Sequence, residues 1–263
     1  MSLVLKEVKD GVAIIRMNNP KTMNGLDMNM TQAVYDAVTE AGADDNVKVI
    51  VLAGEGKGFC GGGNLANMYE KIKNGGKFDP AESKPNMNRL AELACYMREV
   101  PKPVITVVHG AAAGAGASLA FVSDFTISTP EAKYIMAFIN VGLVPDTGGM
   151  FWMVKALGYK RATELAMLGA PFTADEALKM GLINKIVPQE ELWDEAMKLA
   201  KKLKNKPIDS VRFIKQMVNE IIMKDVKSAL ALEEKNMLAC IETDNFKEGV
   251  SAFMEKRKPE FNK

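Results

Sequence analysis

The stretch KPVITVVHGAAAGAGASLAFVSD, residues 102–124, passes from a β-branched apolar run, Val104–Val108, into glycine and alanine and then into an apolar stretch with no breaker. The Lys102-Pro103 pair punctuates its start, and the run that follows has the length and composition of a buried strand. Small residues from Gly110 to Ala117 permit a tight turn, so strand, turn and helix is the simplest reading. The same alternation extends toward the N-terminus. Strands are predicted over residues 3–8, 12–17 and 47–53, with a helix over about 28–41 between the second and third. Asp27 is placed to cap that helix, and Val34, Val38 and Ala41 recur on one of its faces.

Beyond Met150 the pattern turns helical, with helices predicted over residues 162–168, 174–180, 192–203, 210–223 and 226–240. Strands alternating with helices, followed by helices alone, give an α/β class. Residues 71–85 are rich in Gly, Pro, Lys and Asn and read as a mobile surface loop, a candidate lid. No internal repeat is visible in the sequence.

The chain has 263 residues, 48% of them apolar, enough for a substantial core. Lys and Arg number 34 against 33 Asp and Glu, a formal charge of +1. That balance provides no broad basic field for nucleic acid or an anionic membrane. No apolar run reaches the length of a membrane span, and residues 1–10 alternate charges where a signal peptide is apolar, so a cytoplasmic location is expected. The three cysteines, Cys60, Cys95 and Cys240, lie far apart, without a C-x-x-C pair. With His109 as the single histidine, a two-histidine metal site is excluded, and metal-free chemistry is expected.

Three glycine-rich stretches each follow an apolar run: GFCGGGN (58–64), GAAAGAGA (110–117) and GLVPDTGG (142–149). Any one alone fits a tight turn, but three together suggest backbone N–H groups gathered around an anion or oxyanion. Gly114-Ala115-Gly116 lacks the third glycine of a dinucleotide fingerprint, since Leu119 stands there. GEGKGFCGGG likewise lacks the Gly-Lys-Ser/Thr ending of a P-loop.

Taken in order, NNPKTMNGL (18–26), GKGFCGGGNL (56–65), residues 102–124, FINVGLVPDTGG (138–149), TADEALKMGLINKIV (173–187) and AFMEKRKPEF (252–261) resemble the crotonase, or enoyl-CoA hydratase/isomerase, superfamily across the whole chain. The resemblance implies a crotonase (ClpP-like) fold: a spiral core of repeated ββα units over residues 1–195, then a helical region over 196–263 for trimerisation and coenzyme contact. It also implies acyl-CoA substrates, no cofactor beyond the coenzyme A of the thioester, and a homotrimer or a hexamer built as a dimer of trimers; the near-neutral charge and the lack of a long apolar run argue against nucleic acid and membrane partners.

By the same resemblance, the N–H groups of Gly63 and Ala115 form the oxyanion hole. Coenzyme and substrate contacts fall on Lys21, Thr22 and Met23, on Gly61, Gly62, Asn64 and Leu65, and on Ser118, Phe138, Phe253 and Lys256. The two glutamates of typical hydratases correspond here to Ser118 and Phe138, neither of which transfers protons at neutral pH, and ordinary hydration loses its acid and base. Asp146, in VPDTGG, resembles the aspartate of the isomerase branch acting on phenylacetate-type and Δ3-enoyl-CoA substrates. It is the candidate shuttle for a 1,3-proton shift. An aspartate just before Thr-Gly-Gly-Met-Phe-Trp is also positioned as a helix N-cap, and both readings stand at this point.

His109 reads as a structural ring and Cys60 as small-residue filling. The 18 methionines read as core, a few of them candidates to line an adaptable acyl pocket. Double-bond isomerisation is the leading expectation. Hydration, thioester hydrolysis, displacement on an aromatic thioester, and an inactive acyl-CoA- or RNA-binding relative are the alternatives.

Overall fold

The computed structural model describes residues 2–261. An antiparallel pair, β1 (Val4–Lys9) and β2 (Val12–Met17), opens the chain. Helix α1 (Met28–Ala43) follows, its first turn capped by Asp27, which accepts from the Met30 N–H at 3.1 Å. Strand β3 (Val49–Gly54), buried along its whole length, then pairs parallel with β2.

Beyond β3 the chain repeats one unit: a strand in a large sheet, a short strand in a small sheet, and a helix. β4 (Val104–Val108) lies parallel to β3, β5 (Ala111–Ala113) starts the small sheet, and α4 (Ala115–Val122) completes the unit. β6 (Phe125–Ser128) returns to the large sheet, β7 (Lys133–Ile135) pairs with β5, and α5 (Gly149–Leu168) follows a short 3-10 turn, Ala137–Val141. β8 (Phe172–Thr173) and β9 (Lys185–Ile186) flank α6 (Ala174–Lys179) and close the small and large sheets respectively. The large sheet runs β1-β2-β3-β4-β6-β9 and the small one β5-β7-β8, and a bridge from Cys60 to Ala112 extends the small one toward the first glycine loop. These are the repeated ββα units that the resemblance implied. The repeat is structural and leaves no copy in the sequence because each unit needs only alternating burial, which many residue choices satisfy.

The region expected to be a mobile loop is mostly helix. α2 (Leu65–Lys73) and α3 (Pro80–Glu99) take up most of residues 71–85, and Pro85 lies within the second turn of α3. Asp79 accepts the Ala81 N–H at 2.8 Å, and Pro80 opens the helix, where its missing N–H costs nothing. Composition suggested a breaker where the prolines in fact sit near a helix start. Leu90, Leu93, Ala94 and Met97 turn the buried face of α3 to the main core.

Four more helices follow: α7 (Leu192–Lys204), α8 (Ile208–Ile222), α9 (Val226–Ile241) and α10 (Asp244–Met254). Leu192, Ala196 and Ala200 of α7 pack on the sheet face made by Val12, Val49, Ile105 and Ile127. A division at residue 195 therefore passes through a helix that belongs with the sheet. The other sheet face, with α1, α3, α4, α5 and α9, encloses the larger core.

Candidate active site

The first glycine loop is fastened to the turn before α1. Asn24, fully buried at φ +55°, donates through Nδ2 to the carbonyls of Glu55 (3.0 Å), Gly58 (3.2 Å) and Phe59 (3.0 Å) and accepts the Asn19 N–H at 2.9 Å. The Gly61 N–H donates to Met23 O and the Leu26 N–H to Gly62 O, both at 2.7 Å. Gly62 has φ +86°, and a Cβ there would approach Ala113 O to 2.7 Å, so only glycine lets this loop lie against the start of α4. Asn64 caps α2, accepting from the Asn67 N–H, and donates to Asp27 at 3.0 Å.

These contacts set the Gly61–Gly63 loop against the start of α4, and the N–H groups of Gly63 and Ala115 are unpartnered among the described residues. Ala115 is the first residue of α4, where N–H groups lack intrahelical acceptors and favour negative charge. Gly114, at φ +52°, turns the chain into the helix, and the buried Phe138 ring lies against it, 3.6 Å from where a Cβ would sit. The space above Gly63 is open except for the Met68 methyl.

One turn along α4, Ser118 is fully buried, with its Oγ 3.3 Å from Gly114 O and 3.4 Å from Asp146 O. Its hydroxyl is thus occupied by backbone and ties the 145–149 turn to the helix carrying Ala115. That turn is strained. Thr147, a buried β-branched residue, has φ +58°, and Gly148 follows at φ +73°.

Asp146 does not cap α5. The N-cap position is Gly148, without a side-chain bond, and the Asp146 carboxylate accepts instead from the Thr147 hydroxyl at 2.8 Å. Burial raises its pKa to about 6 against the opposing Thr147 bond, which places its proton exchange near neutrality. The end of α5 is served by a residue for which the sequence carried no signal. Glu233, buried on α9, accepts the Gly148 N–H at 2.7 Å and the Phe151 N–H at 3.4 Å. Burial and the nearby Asp146 charge push its pKa up to about 7. Asp146 and Glu233 line one cavity of about 340 Å³ between α3 and α9, together with Met87, Cys95, Thr147 and Leu230. Glu233 lies in the run LEEKNM (232–237) beside a second glutamate, and sequence alone does not tell one from the other.

The other predicted residues fall as follows. Lys21 is exposed, and Thr22 and Met23 are half-buried beside the first glycine loop, as are Gly61 and Leu65 within it. Phe253 and Lys256 are exposed, away from Asp146. Phe253 lines a cleft of about 360 Å³ with Ile139, Met167, Leu168 and Arg257. His109 sits with Nε2 at 2.9 Å from Gly56 O, a structural contact. The Cys60 thiol is buried, pushed up to about 12, and points to Asn24 O. Such a thiol is inert as a nucleophile.

Known proteins resemble this chain along nearly its whole length. The family described as enoyl-CoA hydratase/isomerase matches residues 7–263. The chain is 34% identical over 262 residues to a trans-2-decenoyl-[acyl-carrier-protein] isomerase of Streptococcus mutans, covering 98% of this chain and 97% of the relative. It is also 34% identical over 266 residues to a 1,2-epoxyphenylacetyl-CoA isomerase of Escherichia coli, covering 99% and 98%. The crystal structure of an enoyl-CoA hydratase from Mycobacterium avium subsp. paratuberculosis superposes with a TM-score of 0.89 at 27% identity, covering 100% of this chain and 99% of that one. A glycine loop and a helix start facing each other across a ββα spiral, matched along nearly the entire sequence, make this chain a member of the enoyl-CoA hydratase/isomerase family, the crotonase superfamily.

Proposed function

We propose that the protein is an enoyl-CoA double-bond isomerase in which Asp146 carries the proton. The observation behind this reading is a carboxylate freed from helix capping, poised near neutrality and set beside the helix of Ala115, while Ser118 and Phe138 occupy the two hydratase carboxylate positions. The substrate carbonyl sits between the N–H groups of Gly63 and Ala115. Asp146 removes a proton from C2 of a 3-enoyl thioester, and the electron pair moves onto the carbonyl oxygen, giving a dienolate. Two preorganised donors favour that oxyanion over the ground-state carbonyl, a difference on the order of several kcal/mol. The protonated Asp146 then delivers its proton to C4 and the double bond closes between C2 and C3. No water or second acid enters the balance. A base near neutral pKa suits both halves of the transfer.

Residues 21–23 and 61–65 are assigned to the pantetheine and nucleotide portions of the acyl-CoA, with Phe253 and Lys256 at the nucleotide of a neighbouring subunit. The half-buried Met68, Met150 and the buried Met87 and Met136 supply an adaptable apolar wall for the acyl chain. The assembly is a homotrimer or a dimer of trimers. Supporting this is the apolar face of α8, where Phe213, Ile214, Met217 and Ile221 are exposed.

The test follows a 3-enoyl-CoA optically and by mass in heavy water. The native protein yields the conjugated 2-enoyl-CoA without a gain of water, and Asp146→Asn binds the thioester but turns over at least about a hundredfold more slowly. Equal rates for the two proteins exclude Asp146 as the base, and addition of water identifies a hydratase.

A further inference from the structure

The strained turn that carries Asp146 is held by a residue 85 positions away in sequence, and that residue is itself a buried acid. Thr147 and Gly148 are consecutive left-handed residues, the first β-branched, a conformation that persists only when its surroundings impose it. Three contacts do so: Ser118 Oγ on Asp146 O, Gly149 N–H on Asp146 O at 2.8 Å, and Glu233 on the N–H of Gly148. Of these, only Glu233 brings charge. Its two oxygens each accept a backbone N–H at the start of α5, at 2.7 and 3.4 Å, which holds the carboxyl against the turn.

We propose that Glu233 is a positioning residue for proton transfer, which fixes the 145–149 turn through the first N–H groups of α5 and couples its own ionisation to that of Asp146 across the cavity they share. The kinetic part rests on Asp146 being the proton carrier. The coupling itself does not.

The charged surroundings leave the two acids facing each other. On α3 the cavity is lined by Glu92 and Cys95, and the thiol, raised to about 11, stays neutral. On α9 it is lined by Lys227 and Glu234, the latter paired with Lys84 at 2.7 Å. α5 presents N–H groups rather than a side-chain charge at the contact. Asp146 is the one charged side chain that perturbs Glu233 appreciably. The charge on Asp146 raises the Glu233 pKa, and interacting acids release their protons in steps that belong to the pair.

Carboxyl NMR of the uniformly 13C-labelled protein without substrate tests the coupling directly, with the Asp146 and Glu233 signals identified by their loss in Asp146→Asn and Glu233→Gln. In the native protein the Asp146 signal moves in two steps, near pH 6 and near pH 7, and in Glu233→Gln the second step disappears. A single step in the native protein overturns the proposal without recourse to any variant. The turn-holding part is read from rates on a 3-enoyl-CoA. Glu233→Ala, which leaves the Gly148 N–H without an acceptor, loses about tenfold or more in kcat with KM little changed, while Glu233→Gln, which keeps one acceptor, loses less and flattens the pH profile above pH 6. Native rates and a native pH profile in both variants overturn it. Full activity in Asp146→Asn would instead remove the isomerase mechanism, and the NMR titration would still decide whether the two acids are coupled.

Discussion

At Asp146 the same burial that prepares a base also costs stability. Its folded pKa of about 6 lies above the ordinary 3.8, so between those values the folded protein binds more protons than the unfolded chain. This contribution to stability is complete below the unfolded value and is lost as pH rises through the folded one. Glu233, raised from 4.5 to about 7, acts in the same direction. Asp146→Asn is therefore expected to raise the thermal midpoint at pH 8, by up to about 3 kcal/mol of unfolding free energy, and to leave it nearly unchanged at pH 4. Melts across that range check it, and an Asn variant less stable at pH 8 contradicts the assignment of a desolvated carboxylate. Single residues were unevenly legible in the sequence. Gly62 and Gly114 stand out because backbone geometry at these places admits glycine alone. Asp146 could be located but its role could not, because cap and base share one local pattern. Asn24 and Glu233 went unread: each acts on backbone groups 31 to 35 and 82 to 85 residues away, a separation that no local pattern encodes.

Among the elements, α8 is fastened to the core by buried charge as well as by Ile222 at its end. Its buried Lys215 donates to Asp124 (2.7 Å), Met97 O (2.8 Å) and Lys102 O (2.9 Å), while Arg98 of α3 meets the same aspartate at 3.0 Å and Asn219 of α8 through its guanidinium. Burial pulls the Lys215 pKa down and Asp124 holds it up, and the ammonium is satisfied by three acceptors. Lys215→Met removes one of the two cations on a mostly buried aspartate and opens two carbonyls, which should cost about 3–5 kcal/mol in urea unfolding. A loss under 1 kcal/mol would mean that α8 docks by other contacts. Most elements were legible from periodicity, from β2 and β4 to α7 and α9. Among the exceptions, β5, β6, β7, β8 and β9 are too short to show a period, α3 was hidden by prolines at its first and sixth positions, and α2 and α10 went unread.

For the whole molecule, the α8 face is the most informative surface. Phe213, Ile214, Met217 and Ile221 are 51–77% exposed on one side of a helix whose other side grips the core. Association of this 28.7-kDa chain into a trimer or hexamer would cover them, and sedimentation equilibrium at micromolar concentration checks the mass. Ile221→Asp, which places a charge at the most exposed of these positions, is expected to shift the protein toward monomer without unfolding it. A native monomer at those concentrations would leave the face without the assigned use. The fold class and the ββα spiral were legible through the ordered motifs. How α8 seats on the core was not, since it depends on buried charges that composition counts as surface.

The packing around Ser118 also limits what this protein can become. A Cβ on Gly149 would come within 2.7 Å of the Ser118 hydroxyl and 3.1 Å of the Met136 methyl, so the 145–149 turn lies hard against Ser118 and a longer side chain at 118 would press on it. A glutamate at 118 would therefore need the 145–149 turn to retreat with it, and a laboratory evolution experiment seeking water addition from this scaffold is expected to find paired substitutions at the turn and at 118, not the glutamate by itself.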